Sequence, residues 1–531
     1  MRRHVLPFGV ATIAAGIGVG VVALRGAPPA WLGLPSHGLL DGSPARPHAA
    51  LLAVLLVLLG WGLTRRRQVA FGIVVLLLCV LALDLRQHVE YGLACLTAAG
   101  ALTVLRPACP AVPDRSQVHT AIRYGGLTLL AAVLFGAAAH LHIVPRIDMG
   151  SALLLVALVT IGILLRAASA PAPSGDAERS RVRRMVAAPG ADTLAPFALR
   201  SDKTYLFSTD GSAAVGYRVL LGVAVVGGDP VGDPAAFADV LARFHALCAR
   251  KGWRPAVLGA RDEIVTLWAA HGMRSVGIGD EVLLDVAPFG LGTRRLRNVR
   301  QAVRRTYNAG VRTAVLAADE IPAPLRAEMT ELSTQWLGRA RERGFSMILD
   351  RLLDVTRPDG LFVVAFDADD RLVGFQRYLP VGDHGTDRAL SLDVMRRTKD
   401  RLNGLNERMI VDVVEYARQH GVDHVSLNFA AFRTLLDRGA GRTTLEQVSY
   451  RMLHLLDPLI QVESLYLFNA KFRPGYVRRN VLLGSWPALP IVLVALLGLE
   501  FALPYDRRRH TAPVPVVEVA EAPAGLPEGH R

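Results

Sequence analysis

Six apolar runs occupy the first third of the chain and decide most of what it can become. They are Val5–Leu24, Ala49–Leu63, Val69–Leu83, Tyr91–Leu105, Gly125–Val144 and Gly150–Leu165. Several fall short of the roughly 20 residues that a spanning helix prefers. Tyr91–Leu105 is the weakest and also fits a re-entrant segment. Val5–Leu24 follows Met-Arg-Arg-His and imitates a signal peptide. It has no clear small-residue cleavage site and five more runs follow, so it reads as an anchor. Arg2/Arg3, Arg65–Arg67, the 106–123 loop and the 166–184 segment alternate with loops poorer in arginine. The positive-inside rule places these four in the cytoplasm, with both termini and everything beyond residue 166.

The net charge is +14, and Lys occurs only at positions 203, 251, 399 and 471. Positive charge on a half-apolar chain fits a membrane protein whose soluble part meets an anion, either nucleic acid or acidic lipid. The cysteines, Cys79, Cys95, Cys109 and Cys248, form no CxxC pair. The pattern is neither a disulfide framework nor a zinc site, and no metal is expected.

"APAPSGDAERSRVRR" (170–184) reads as a linker that ends one domain. Beyond it, strand and helix patterns alternate. Tyr217–Val226 reads as one buried strand. Pro234–Lys251 reads as a helix with Phe237, Leu241, Phe244 and Leu247 on one face. Gly360–Phe366, Leu372–Leu379, Ala389–Val394 and His424–Asn428 read as strands, and Asn406–Gln419 as a helix. The plan is a transmembrane domain at 1–169, a linker at 170–194, an α/β (α+β) domain of two similar lobes at 195–505, and a disordered tail at 506–531.

Several stretches carry candidate chemistry. "GGDPVGDP" (227–234), with Asp229, precedes a helix N-terminus, where anions bind; taken alone, a tight turn is the better explanation. "TRRLRNVRQAVRRTYNAG" (293–310) puts Leu296, Val299 and Val303 on one helical face and spreads six arginines, Arg297, Arg300 and Arg304 among them, over the rest. So many cations without an acid fit a polyphosphate or a lipid headgroup. "LFNAKFRPGYVRRNVLL" (467–483) interleaves Phe468, Phe472 and Tyr476 with Lys471, Arg473, Arg478 and Arg479. It fits unpaired nucleotides or a core edge with a basic rim. "LPIVLVALLGLEFALP" (489–504) is short for a span and reads as a buried or membrane-surface helix. The densest cluster is "LSLDVMRRTKDRLNGLNE" (390–407). Its strand pattern leads into Asp393, Arg396, Asn403, Asn406 and Glu407.

The ordered set "GGDPVG", "GFSMILD" (344–350), "SLDVMRR" (391–397), "NGLNE" (403–407), "VSLNFAAFR" (425–433) and "NAKFRPGYVRR" (469–479) resembles the catalytic domain of the phosphatidylglycerol lysyltransferases. These are multiple-peptide-resistance-factor-type aminoacyl-phosphatidylglycerol synthases, and the actinobacterial version is the most similar. The resemblance covers roughly residues 195–505. It implies tandem GNAT-like lobes and transfer of an amino acid, lysine by family default, from aminoacyl-tRNA to phosphatidylglycerol. The cationic product would lower the membrane's negative charge and promote resistance to cationic antimicrobial peptides. The resemblance implies no cofactor beyond the aminoacyl-tRNA donor. Its implied partners are that tRNA and anionic membrane lipid, with a homo-oligomer left open. For that reaction the residues themselves suggest catalytic roles for Asp393, Arg396 and Glu407. Asn403, Asn406, Asn428, Asp229 and Arg433 would bind substrate. Arg297, Arg300, Arg304, Lys471, Arg478 and Arg479 would hold tRNA or lipid phosphate. The chain is expected to lack the fused lysyl-tRNA synthetase of the mycobacterial version and to have fewer spans than a full flippase portion. Transfer to another lipid or cell-wall precursor, and a non-catalytic membrane transport or sensing role, are the competing readings.

Overall fold

The computed structural model describes residues 5–25, 46–85, 89–141, 149–338, 349, 352, 360–382, 388–398, 402–431 and 467–500. Arg433, most of the 344–350 motif and the 506–531 tail lie outside the described residues.

Helices occupy the six apolar runs: α1 (Leu6–Arg25), α2 (Arg46–Thr64), α3 (Gln68–Asp84), α4 (Val89–Val104), α5 (Arg115–His140) and α6 (Met149–Leu164). Small residues let them approach. A Cβ on Gly60 would lie 2.7 Å from the Gly9 carbonyl oxygen, and one on Gly125 would lie 2.5 Å from Thr160 Oγ1. Large apolar side chains such as Leu76, Leu83, Ile122, Leu134 and Leu153 remain exposed. Among the described residues, α5 alone is both long and apolar enough to cross a membrane; the others are shorter apolar helices.

The segment read as a linker carries a helix, α7 (Asp176–Val186). Val182 and Val186 are buried, and the helix packs with Phe197 and Leu199 against Tyr205 and Ala214. Its two buried positions are four residues apart on one face, a pattern hidden by the arginines around them.

Among the described residues, all the strands beyond α7 belong to one sheet. Its strands are β1 (Thr204–Phe207), β2 (Ala213–Leu220), β3 (Val223–Gly227), β4 (Val231–Gly232), β5 (Arg254–Arg261), β6 (Arg274–Asp285), β7 (Arg312–Ala317), β8 (Leu361–Phe366), β9 (Leu372–Val381), β10 (Ala389–Arg397), β11 (His424–Ala431) and β12 (Gly475–Leu483). The order across it is β1-β2-β3-β5-β12-β6-β11-β10-β9-β8-β7, with β4 on β2. The expected strand at 217–226 is two strands. Leu221 and Gly222, at φ 51° and 73°, make the two-residue turn between β2 and β3.

Helices α8 (Phe237–Lys251), α9 (Asp262–Ala269), α10 (Arg297–Asn308), α11 (Ala323–Leu337), α12 (Leu405–Gln419) and α13 (Leu489–Glu500) cover the sheet. Among the described strands, only β3/β5 and β10/β11 are parallel pairs. Each is joined by one crossover helix, α8 and α12. The expected lobes are therefore two halves of one sheet, each built on a β–α–β unit. In the first half Phe237, Leu241 and Phe244 pack on Tyr217, Trp253 and Trp268. In the second half Met409, Ile410 and Val413 of α12, with Val299 and Val303 of α10, pack on Val282, Val363 and Val425.

The two units run in opposite directions. Arg261, the last residue of β5, pairs with Arg479 on β12. Arg479 also pairs with Gly279 on β6, and Gly279 pairs with Ala431, the last residue of β11. The C-terminal ends of both parallel pairs thus meet along one line across the sheet.

Candidate active site

Ligands of open α/β sheets bind beyond the C-terminal ends of parallel strands. Here both sets of ends converge, and the ladder is irregular there. Register shifts occur at Leu392/Val394, Ser426/Phe429, Arg479/Asn480 and Asn480/Val481. Such bulges re-aim side chains and interrupt pairing.

Asp393 occupies the first of these bulges. The strand continues to Arg397, so Asp393 lies within β10 and not at its end. It is buried, and both carboxylate oxygens are engaged. Oδ1 accepts the Leu349 N–H at 2.8 Å. Oδ2 pairs with the Arg377 guanidinium from β9. Arg377 in turn donates to the Leu352 carbonyl at 2.6 Å. The expected open carboxylate is an internal ion pair, and a substrate ammonium would have to displace Arg377 to reach it.

Arg396 is buried as well. Its Nε donates to Ser333 Oγ at 3.3 Å, and its guanidinium lies 4.2 Å from the Trp336 ring centroid. It ties β10 to α11.

The segment before α12 is more open. Asn403 is exposed in the turn. Gly404 has φ 103°, and a Cβ there would lie 2.4 Å from the Ala302 carbonyl oxygen. Only glycine allows α12 to start this close to α10. The Asn406 carbonyl accepts from Gln376 Nε2 at 3.4 Å, whereas its side-chain Oδ1 is buried without a hydrogen-bond partner among the described residues. Glu407, in the first turn, accepts from Lys471 Nζ at 3.0 Å. The Lys471 side chain is 42% exposed, so this pair borders solvent.

Asn428 lies at the second bulge with φ 68°. Its N–H donates to Ser426 Oγ at 3.1 Å, and Nδ2 donates to the Leu392 carbonyl, beside Asp393, at 3.0 Å. Ser426 donates to Glu281, which pairs with Arg479. Arg479 meets both oxygens of Asp192 at 2.7 and 2.9 Å. Arg261 reaches Asp192 at 3.6 Å and Asp229 at 2.8 Å. A chain of polar contacts therefore runs from the 227–234 turn to the Asp393 bulge.

Two expectations fail here. Arg479 is fully buried and cannot hold a tRNA or lipid phosphate; alternation along β12 turns Arg478 outward and Arg479 inward. Asp229 is buried on Arg261 and is not open to substrate. Burial, then the neighbouring Asp192 charge, push the Asp229 carboxyl up to about 6 against the pull of Arg479 and Arg261. Burial also opposes ionisation of Asp192, but Arg479 and Arg261 outweigh it and hold that carboxyl below its ordinary range.

On α10, Arg297, Arg300 and Arg304 are exposed along one face, opposite buried Val299 and Val303. Arg300 donates to the Leu291 carbonyl. The helix borders α12 twice, at Ala302–Gly404 and where Arg408 stacks 3.5 Å over Tyr307. Sequence reading missed Arg377, Glu281, Asp192 and Ser426. A charge inside an apolar strand, as in "GFQRYL" and "DEVLLD", was the available signal.

Residues 183–482, more than half of the chain, match the family described as phosphatidylglycerol lysyltransferase, C-terminal. The MprF-like domain protein of Mycobacterium tuberculosis is 41% identical over 337 residues, 62% of this chain and 68% of that protein. The lysylphosphatidylglycerol biosynthesis bifunctional protein LysX of Gordonia bronchialis is 34% identical over 383 residues, 70% of this chain and 33% of that protein. The chain thus spans about a third of that bifunctional relative. The C-terminal domain of a putative lysylphosphatidylglycerol synthetase from Agrobacterium fabrum superimposes with a TM-score of 0.53 at 22% identity, covering 62% of this chain and 98% of that domain. L-PGS from Bacillus licheniformis gives 0.54 at 20%, covering 62% and 97%, so the fold is shared. With the family match and the relatives in agreement, the chain belongs to the phosphatidylglycerol lysyltransferase C-terminal family.

Proposed function

We propose that the chain transfers an amino acid, lysine in the first instance, from aminoacyl-tRNA to a glycerol hydroxyl of phosphatidylglycerol. The cationic lipid formed would lower the negative charge of the membrane and protect it from cationic peptides. The supporting observation is the start of α12, where the Glu407–Lys471 pair and an Asn406 Oδ1 without a partner among the described residues follow Gly404, which packs on Ala302 of α10, the helix whose outer face carries the arginines. That arrangement offers an acid, an acceptor for an ammonium and a track for phosphates.

Transfer between two esters is nearly balanced in energy and requires positioning more than driving force. The lipid hydroxyl oxygen bonds to the acyl carbon while Glu407 takes its proton. The carbon–oxygen bond to the tRNA ribose breaks, and Glu407 returns the proton to the leaving ribose oxygen, so that no net proton is consumed. Asn406 and Asn403 orient the aminoacyl group. Lys471 and Arg478 hold lipid phosphate, and Arg297, Arg300 and Arg304 hold tRNA. Asp393 and Arg396 act as positioning residues through Arg377 and α11. The reaction needs no metal or nucleotide cofactor. Helices α1–α6 anchor the chain as a multi-pass protein in the cell membrane, with the sheet on the cytoplasmic side, where charged tRNA is found.

The test is incubation of the full chain in phosphatidylglycerol vesicles with individually charged tRNAs. Label from lysyl-tRNA should enter a lipid identified by mass spectrometry as lysylated phosphatidylglycerol. Label entering no lipid from any charged tRNA would sink the proposal.

A further inference from the structure

Helix α13 is apolar on every side up to its last residue, Glu500, which ends the stripe of Leu489, Leu493 and Leu497 and is half-buried. Val492, Ala495, Leu496 and Leu499 are buried against Val223, Val225, Ala256 and Leu258 of the sheet. The opposite stripe is apolar too: Trp486 just before the helix, then Leu489 and Val494, are exposed, and Leu493 and Leu497 are partly so. A helix covering a soluble sheet ordinarily turns polar residues to water.

Its position gives the stripe an occupant. The helix leaves β12 at Leu483, which pairs with Ala256 near the start of β5 and with Arg274 at the start of β6. At its other end, a Cβ on Gly498 would lie 2.8 Å from Leu220, at the turn into β3. Twelve residues of helix extend about 18 Å. The four strands β12, β5, β3 and β2 span about 14 Å. Helix α13 therefore crosses these strands near one edge of the sheet.

The N-terminal helices are tied to the same edge. Arg67 Nη2 donates to the Gly252 carbonyl at 3.1 Å. The Val112 and Ala168 N–H groups donate to the Arg250 and Lys251 carbonyls at 3.1 and 3.0 Å. Trp253 Nε1 donates to the Ala168 carbonyl at 2.8 Å. Exposed arginines mark this edge, Arg166, Arg250 and Arg274 among them, and the Arg274 guanidinium lies 5.9 Å from the Trp486 ring centroid.

We propose that α13 is a second membrane contact: it lies in the headgroup region of the inner leaflet with Trp486, Leu489 and Val494 inserted and the arginines on anionic lipid. It is too short to span a bilayer, and an apolar stripe flanked by Trp and Arg suits the interface. Together with the α1–α6 anchor it fixes the tilt of the first half of the sheet over the membrane. The inference rests on the reading that α1–α6 cross the membrane.

The experiment places the photo-cross-linking residue p-benzoylphenylalanine, one position at a time, at Val494, at Leu134 of α5 and at Gln419 at the far end of α12. The full chain is reconstituted in vesicles of phosphatidylglycerol and phosphatidylethanolamine, and adducts are identified by mass spectrometry. Lipid adducts are expected from positions 134 and 494, each severalfold above position 419. Lipid adducts at 134 with cross-links from 494 to residues 501–531, or to a second copy of the chain, would overturn the membrane contact and leave the anchor intact. A lipid yield at 494 no higher than at 419 would overturn it equally. Absence of lipid adducts at 134 would remove the anchor, and the inference with it.

Discussion

The two β–α–β units have the same order of elements and opposite treatments of their polar groups. In the first, the turn after β3 is closed. β4 pairs with Ala213 and Ala214 of β2, and Asp233 caps the following helical turn at 2.9 Å. Asp229 is bound to Arg261. In the second, the turn after β10 leaves Asn403 exposed, Asn406 Oδ1 without a partner among the described residues, and Glu407 at the solvent border with Lys471. The same device serves in one half to lock the halves together and in the other leaves polar groups open, the ones to which the proposed function gives the chemistry. A polar group whose bonds are all internal contributes to shape, and one held in reserve contributes to chemistry.

The comparison breaks first on stability. Arg479→Met would leave Asp192 and Glu281 buried without their principal cation, a loss of about 3–5 kcal/mol. Arg377→Met leaves Asp393 with its Leu349 N–H bond and should cost less. Thermal unfolding of both variants in detergent checks the order; equal losses would mean that the two halves are locked alike. Activity comes next. Glu407→Gln should lower lipid aminoacylation about a hundredfold, whereas Asp233→Asn, which preserves a helix cap, should change it by no more than about twofold. Comparable losses would remove the distinction between the closed and open turns.

Salt dependence sharpens the comparison further. Arg297→Gln, Arg300→Gln and Arg304→Gln combined should reduce the log–log salt slope of tRNA affinity by about 2. An unchanged slope returns those arginines to the role of a solvated helix face. The smallest effect is on pH. Asp229 is pushed up to about 6 in the folded chain, against roughly 3.9 when unfolded. Its contribution to stability is full below the unfolded value and is lost as pH rises through the folded one. Wild type should therefore lose stability relative to Asp229→Asn between about pH 4 and pH 6. Parallel melting profiles across that window would show that Asp229 is not the group titrating.

Periodicity made the helix faces legible. Phe237, Leu241 and Phe244, like Val299 and Val303, are buried as their spacing requires. The β2–β3 turn was not legible, because Leu221 adopts a positive φ inside an unbroken apolar run. The cluster at 390–407 was recognisable by its density of polar groups, but the division of labour within it was not. Which acid is buried depends on Arg377 and Leu349, and neither is adjacent to Asp393 in the chain. The same applies to Arg478 and Arg479: identical side chains are separated only by the face of the strand each occupies.

The insertion of β12 between β5 and β6 has a consequence for synthesis. Both flanking strands leave the ribosome before the second half is begun, and β12 follows it. At about 5–20 residues per second, the interval lasts on the order of ten seconds or more. Throughout it, the nascent chain holds two facing strand edges and two acids, Asp192 and Glu281, whose principal cation, Arg479, has not been made. Open edges of this kind invite pairing with other chains. A stop codon shortly before Gly475 would therefore remove more than a C-terminal appendage: it would leave the first-made half of the enzyme split down its middle.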